Sequence, residues 1–121
     1  MYEYAAKLLR VIDGDTIDVS IDLGFSISVK QRVRLSRINT PETRTKDLLE
    51  KAAGKAATEF ISWFLAENNN NLIIQTTVDK RGKFGRVLGE VFANGHNVND
   101  LMLSKGHAVP YGEVYVAPEP T

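Results

Sequence analysis

Cysteine is absent from all 121 residues. Disulfide frameworks and thiolate metal sites are thereby excluded, and the redox compartment leaves no mark. Net charge is absent too, because 15 basic residues balance 15 acidic ones. A strongly basic footprint is missing, so any polyanion must be held by a local patch. No apolar run approaches a membrane span, and no membrane partner is expected. The opening MYEYAAKLLRVIDGD has no charged segment followed by a long apolar one, so no signal peptide and a cytoplasmic location are expected. What is present is ordinary globular material, 43% hydrophobic and 25% charged. That amount of chain supports one core, expected over residues 1–116 as a monomer, with 117–121 a disordered tail.

The segment VIDGDTIDV, residues 11–19, sets three carboxylates in a β-branched run, two of them flanking Gly14. A strand is expected near 5–12. After the Asp-Gly turn, Ile17, Val19, Ile21 and Leu23 alternate with Thr16, Asp18, Ser20 and Asp22, the mark of a half-buried strand. Gly24 marks a hairpin. Phe25, Ile27, Val29, Val33 and Leu35 then alternate with Ser26, Ser28, Lys30, Arg32 and Arg34, completing a meander. Asn39-Thr40-Pro41-Glu42 breaks it, since proline donates nothing to a ladder.

A helix is expected over about 47–66, with a stripe of Leu48, Leu49, Ala52, Ala53, Ala56, Phe60, Trp63 and Phe64. Gly54 interrupts that stripe, and Trp63 reads as core. Asn68–Asn71 suits a helix exit. Strands are expected over 72–78 and 87–92, joined by the loop DKRGKFG, and Ala93-Asn94-Gly95 reads as a turn. Val98, Leu101 and Met102 mark a short helix, capped by Asn97 or Asn99 and ended by Gly106, before a last short strand within 107–111. The expected fold is mainly β within α+β: a five-stranded OB barrel, a helix between strands three and four, and a short helix after strand five.

Two polar clusters fall at strand ends. Asp13, Asp15, Asn39, Thr40 and Glu42 meet because strand two starts where strand three finishes. Oxygen donors of this kind suit a hard divalent cation, although acidic turns also arise for local reasons. The second cluster is Arg34 with Lys80, Arg81, Lys83 and Arg86. Arginine forks match phosphate oxygens, although a solvated hairpin tip has the same composition. A cation and two arginines near a carboxylate would serve phosphodiester hydrolysis, offsetting charge at phosphorus while the carboxylate activates water. His96 and His107 lie far from the acidic residues in sequence and read as surface or packing groups.

Taken in series, VIDGDTIDV, VRLSRINTPET (33–43), DKRGKFGRVLGEVF (79–92) and NVNDLMLSKGHA (97–108) resemble the staphylococcal nuclease (thermonuclease) family. The resemblance implies a calcium-dependent nuclease acting on DNA and RNA, preferably single-stranded, with little sequence specificity. It implies cleavage of the 5′ P–O bond to leave 3′-phosphate ends. Asp15, Asn39 and the Thr40 carbonyl would be metal ligands, and Asp13 a more peripheral acid. Arg34 would contact the scissile phosphate, Glu42 would be the general base, and Arg86 would stabilise the transition state. Lys83, Phe84 and Tyr111 would bind substrate, with Tyr115 a second stacking candidate.

Three departures stand out. Asn39 replaces the usual aspartate and removes one negative charge from the cation site. Phe84 replaces a common tyrosine. The chain ends soon after Tyr115, where family members continue into a further helix. The competing expectation is an SNase-like barrel, its activity weakened or lost with the charge at Asn39, that binds single strands by stacking and backbone charge.

Overall fold

Strand β1, Tyr2–Asp13, is long enough to serve two neighbours. Its first half pairs with β5 (Asn71–Thr77), and its second half pairs with β2 (Thr16–Asp22), both antiparallel. The partners overlap at Ala6 and Lys7, and the β1–β2 ladder then has register breaks at Leu8/Arg10 and Val11/Asp13. Such irregularities increase local twist and let one strand turn a barrel corner. The computed structural model describes residues 2–77 and 86–115. The expected loop 79–85, with Lys83 and Phe84, and the expected tail 117–121 lie outside the described residues.

β2 pairs antiparallel with β3 (Ser28–Leu35), and β5 pairs with β6 (Arg86–Ala93). A parallel pairing of β3 with β6, from Arg32↔Arg86 to Leu35↔Gly89, closes the five strands into a barrel. Closure gives each of these strands a neighbour on both sides along part of its length. Two short pairings extend the frame. β4 (Ile38–Asn39) meets β8 (Val109–Pro110), and β7 (His96–Asn97) extends β6. The expected last strand is thus β8; β4 and β7 were too short to show in a periodicity.

Inward residues of every barrel strand form the core: Ala6 from β1, Ile17 and Val19 from β2, Val33 and Leu35 from β3, Ile74 from β5, Val91 from β6. Helix α1, Leu48–Glu67, covers β1 and is capped by the Asp47 carboxylate, which accepts from the Leu49 and Glu50 amides. Its buried face is Gly54, Ala57, Ile61 and Leu65, with Phe60 and Phe64 packed beside it. The expected stripe is therefore rotated. Trp63 is 59% exposed and Leu48 79%, so Trp63 is not a core residue. An alanine-rich helix offers several candidate stripes, and the neighbouring strand selects among them. The helix also runs unbroken through Gly54.

The β2–β3 hairpin gives a second correction. Leu23, Ile27 and Val29 are substantially exposed, and Phe25 is 98% exposed. Ile21 is the last buried residue of β2, and Gly24, Phe25 and Ser26 all take left-handed backbone angles. The alternation expected to continue inward runs past the end of the core.

Helix α2, Val98–Ser104, is capped by Asn97, whose side chain accepts from the Asp100 amide. Asn99 is instead fully buried. It accepts from the Val91 amide (3.0 Å) and donates to the Ser36 and Gly89 carbonyls (2.9 and 3.1 Å) and to Glu90 (3.1 Å). Glu90 also receives Ser36, Asn97 and Arg37. Arg37 sits at φ +70° and reaches Asp100 as well. This network holds the β3–β4 turn in a backbone conformation that a non-glycine residue disfavours.

Burial pushes the Glu90 carboxyl up, but the bonds from Arg37, Ser36 and Asn97 outweigh it and hold it below its usual 4.5. A depressed carboxylate adds stability above its unfolded pKa, and that stability is lost as pH falls through the folded value. Urea denaturation across pH 3–7 should therefore show a shallower acid-side slope for Glu90→Gln than for wild type. Equal slopes would remove Glu90 from the account.

Candidate functional site

The turn Asp13-Gly14-Asp15 joins β1 to β2 and packs tightly against α1 and the segment after β4. A Cβ on Gly14 would stand 2.9 Å from Ala57 Cβ and 3.0 Å from Thr40 Cγ2. Only glycine lets the turn come this close. Asp15 is then held at several points. Its carbonyl accepts from the Leu35 amide (2.8 Å), and its carboxylate accepts from the Thr40 amide (3.1 Å) and the Thr16 hydroxyl (3.1 Å). Arg34 Nη2 lies 3.3 Å from the Asp15 carboxylate, with the two side chains 9% and 13% exposed. The same nitrogen donates to Asn39 Oδ1 at 2.8 Å, while Nη1 donates to the Leu35 carbonyl at 2.6 Å.

Asp13 and Asp15 divide a charge. Burial, then the hydrogen bond with Asp15 and that residue's charge, push Asp13 up to about 6. For Asp15 burial also acts upward, but the Asp13 hydrogen bond, the Arg34 charge and the Thr40 donors outweigh it and hold it below the usual range. Asp15 therefore stays anionic when the pair takes up its first proton.

Glu42 follows β4 on an exposed loop. Its backbone amide donates to Glu50 in the first turn of α1 (3.4 Å). A Cβ on Gly54 would meet the Pro41 carbonyl at 2.7 Å and the Glu42 carbonyl at 2.9 Å, so that glycine lets the loop rest directly on the helix. The segment after β8 supplies the far wall. The Tyr111 amide donates to the Arg37 carbonyl (2.8 Å), and Asn39 Nδ2 faces the Glu113 carbonyl at 3.5 Å.

These residues line one cleft of about 600 Å³. The expected residues Asp13, Asp15, Arg34, Asn39, Thr40, Glu42, Tyr111 and Tyr115 all border it. Arg86 opens β6, with its backbone opposite Arg32; its side chain, like Lys83 and Phe84, lies outside the described residues. Glu50 and Glu113 also border the cleft and were not anticipated. Neither belongs to a motif, and only the packing of α1 and β8 brings them there. His107 stacks on Phe60 at 4.8 Å and His96 sits edge-on to Phe64 at 5.9 Å, packing roles as expected. Asp18 pairs with Arg32 at 2.8 Å on the outer surface. A larger groove of about 810 Å³, bordered by Ala5, Ile27, Ile73 and Phe92, lies away from these residues.

The cleft's donors suit a hard cation in kind, being carboxylate, amide and carbonyl oxygens. Among the described residues, no three Asp, Glu or His side chains converge closely enough to enclose a metal by themselves. Five carboxylates border the cleft, Asp13, Asp15, Glu42, Glu50 and Glu113, against the single described guanidinium of Arg34.

Residues 32–120 match the family model described as staphylococcal nuclease homologue. The chain belongs to that family. The GDT turn precedes the matched span, but alignments to individual relatives reach most of the chain. A Bacillus anthracis protein described as uncharacterized is 34% identical over 103 residues, 85% of this chain and 45% of its own length. An Escherichia coli protein named as an uncharacterized endonuclease is 31% identical over 113 residues, 93% of this chain and 64% of its own. The thermonuclease of Staphylococcus hyicus is 29% identical over 106 residues, 88% and 59% respectively. The chain thus spans about half to two-thirds of the length of these relatives. In this staphylococcal nuclease homologue the barrel closes with five strands and, among the described residues, carries two helices, as the family resemblance implied.

An exposed helical glycine replaced by alanine ordinarily gains about 1 kcal/mol. At Gly54 the added methyl would meet backbone carbonyls instead, so Gly54→Ala should lose about 1–3 kcal/mol in urea denaturation. A gain in stability would show that the Pro41–Glu42 loop is not seated on the helix.

Proposed function

We propose that this domain is a metal-dependent nuclease that hydrolyses phosphodiester bonds of DNA and RNA with little sequence preference, favouring single strands. The observation that carries the reading is the convergence of Asp15, Arg34 and Glu42 on one cleft. The names of the E. coli and S. hyicus relatives support it. No helix among the described residues is long and apolar enough to cross a membrane, and the reading needs none.

A phosphate entering a cleft of five carboxylates meets repulsion that Arg34 offsets only in part. A divalent cation such as Ca²⁺ would be held by Asp15 and the Thr40 carbonyl, with Asn39 beside them, and would supply further positive charge. The chain's own groups do the remainder. Arg34 fixes a non-bridging phosphate oxygen. Glu42 takes a proton from water as the water oxygen bonds to phosphorus. The bond from phosphorus to O5′ breaks, O5′ gains a proton, and the phosphate remains on the 3′ side. Arg86 stabilises charge on the five-coordinate phosphorus. Tyr111 stacks on a base, while Lys83 and Phe84 hold neighbouring nucleotides. Few groups at the cleft read base edges, consistent with weak sequence preference.

A second reading, a binding module without catalysis, draws support from the loss of one carboxylate at Asn39. Purified protein should cleave denatured DNA with added calcium and stop in chelator. Glu42→Gln and Arg86→Ala should each lower the rate about a hundredfold or more while binding persists. Wild-type protein that binds equally with and without calcium, and shows no cleavage with calcium, magnesium or manganese, would favour the binding module.

A further inference from the structure

Asn39 is the point where the site departs from a two-carboxylate arrangement, and its contacts show what the amide does instead. Guanidinium carries five donors and no acceptor, so the group facing Arg34 at 2.8 Å must be the amide oxygen. The other end, Nδ2, faces the Glu113 carbonyl at 3.5 Å. A flipped amide would set donor against donor and acceptor against acceptor, so both neighbours select the same orientation. The Asn39 backbone reinforces the link, since β4 pairs it with Val109.

We infer that Asn39 is a positioning residue for the Arg34 phosphate clamp and a tie for the cleft wall at 111–115, rather than a principal ligand of a cation. With Nη1 on the Leu35 carbonyl and Nη2 shared between Asn39 and Asp15, Arg34 is gripped on its inner side. So held, Arg34 still borders the cleft. Aspartate at 39 would keep the hold on Arg34 but set an oxygen against the Glu113 carbonyl. It would add cation affinity and release the wall. Alanine would free both partners. The inference rests on the nuclease reading only in taking phosphate as the group that Arg34 holds.

The test separates phosphate from metal. The probe is a phosphorothioate-linked oligothymidylate, bound in chelator at low salt and followed by fluorescence anisotropy. Calcium alone is titrated by calorimetry. Asn39→Ala should weaken metal-free oligonucleotide binding about tenfold, the worth of one charge-assisted hydrogen bond, and leave calcium affinity within about twofold. Asn39→Asp should bind calcium more tightly, yet show faster hydrogen exchange at the amides of 111–115.

The opposite pattern overturns the inference: calcium binding lost in Asn39→Ala with metal-free oligonucleotide binding intact. Unchanged exchange in Asn39→Asp overturns the tie to the wall. If Asn39→Ala does not fold, the side-chain amide resonances of Asn39 in wild-type protein carry the test. They should shift when the oligonucleotide is added in chelator, and no shift overturns the inference. Wild-type protein that never cleaves, but loses metal-free binding in Asn39→Ala, would sink the nuclease reading and leave this one standing. A cleaving wild type whose Asn39→Ala variant binds the metal-free oligonucleotide normally would do the reverse.

Discussion

The Asp15–Arg34 ion pair is the constraint on which the site turns. Both side chains are nearly buried, and removing two charges from water costs several kcal/mol unless hydrogen bonds complete the arrangement. Here they do. Thr16 and Thr40 donate to Asp15, while Asn39 and the Leu35 carbonyl receive Arg34. Each of these partners comes from a different local feature: the start of β2, the end of β3, β4, and the segment that follows. Meeting the needs of one ion pair therefore fixes the relative position of all four, and the cleft is what that agreement leaves open.

Two kinds of packing hold this arrangement from outside. On the helix side, missing side chains matter most. Gly14 and Gly54 let the acidic turn and the Pro41–Glu42 loop lie against α1 at distances that a methyl group would forbid. On the α2 side a polar network joins the apolar packing of Val98 and Met102. Asn99 and Glu90 bond to the β3–β4 turn from below, and Arg37 ties that turn to α2 through Asp100. A buried network of this kind is stabilising only when every member is satisfied, which makes the turn's geometry specific. That turn carries Asn39 and Thr40 into the site and receives Tyr111 through the Arg37 carbonyl.

The charge pattern gives the cleft its chemistry. The chain as a whole is neutral, so long-range steering of a polyanion is weak. Locally the cleft gathers carboxylates around one described guanidinium. A polyanion at this cleft would rely on local groups such as Arg34 rather than on the field of the whole protein. Asn39 moderates the negative charge by contributing an oxygen acceptor without a full charge.

The amino-acid sequence alone determined the strand meander, the central helix and the meeting of Asp15 with the Asn39–Glu42 turn, and it narrowed the second helix's cap to Asn97 or Asn99. These follow from local periods, turn residues and chain connectivity, which need no distant partner. The motif series also indicated the family, and the matched span and relatives bear this out. What the sequence could not decide was which face of an alanine-rich helix is buried, since Trp63 and Ile61 both suit a helical stripe and only contact with the barrel chooses Ile61. Nor could it tell that Phe25, Ile27 and Val29 alternate beyond the end of the core. Glu50, Glu113 and the double role of the Asn39 amide were equally hidden. Each arises where segments distant in sequence are brought together, and tertiary structure alone supplies those neighbours, because burial and hydrogen-bond partnership are properties of what lies across the gap rather than of the residue itself.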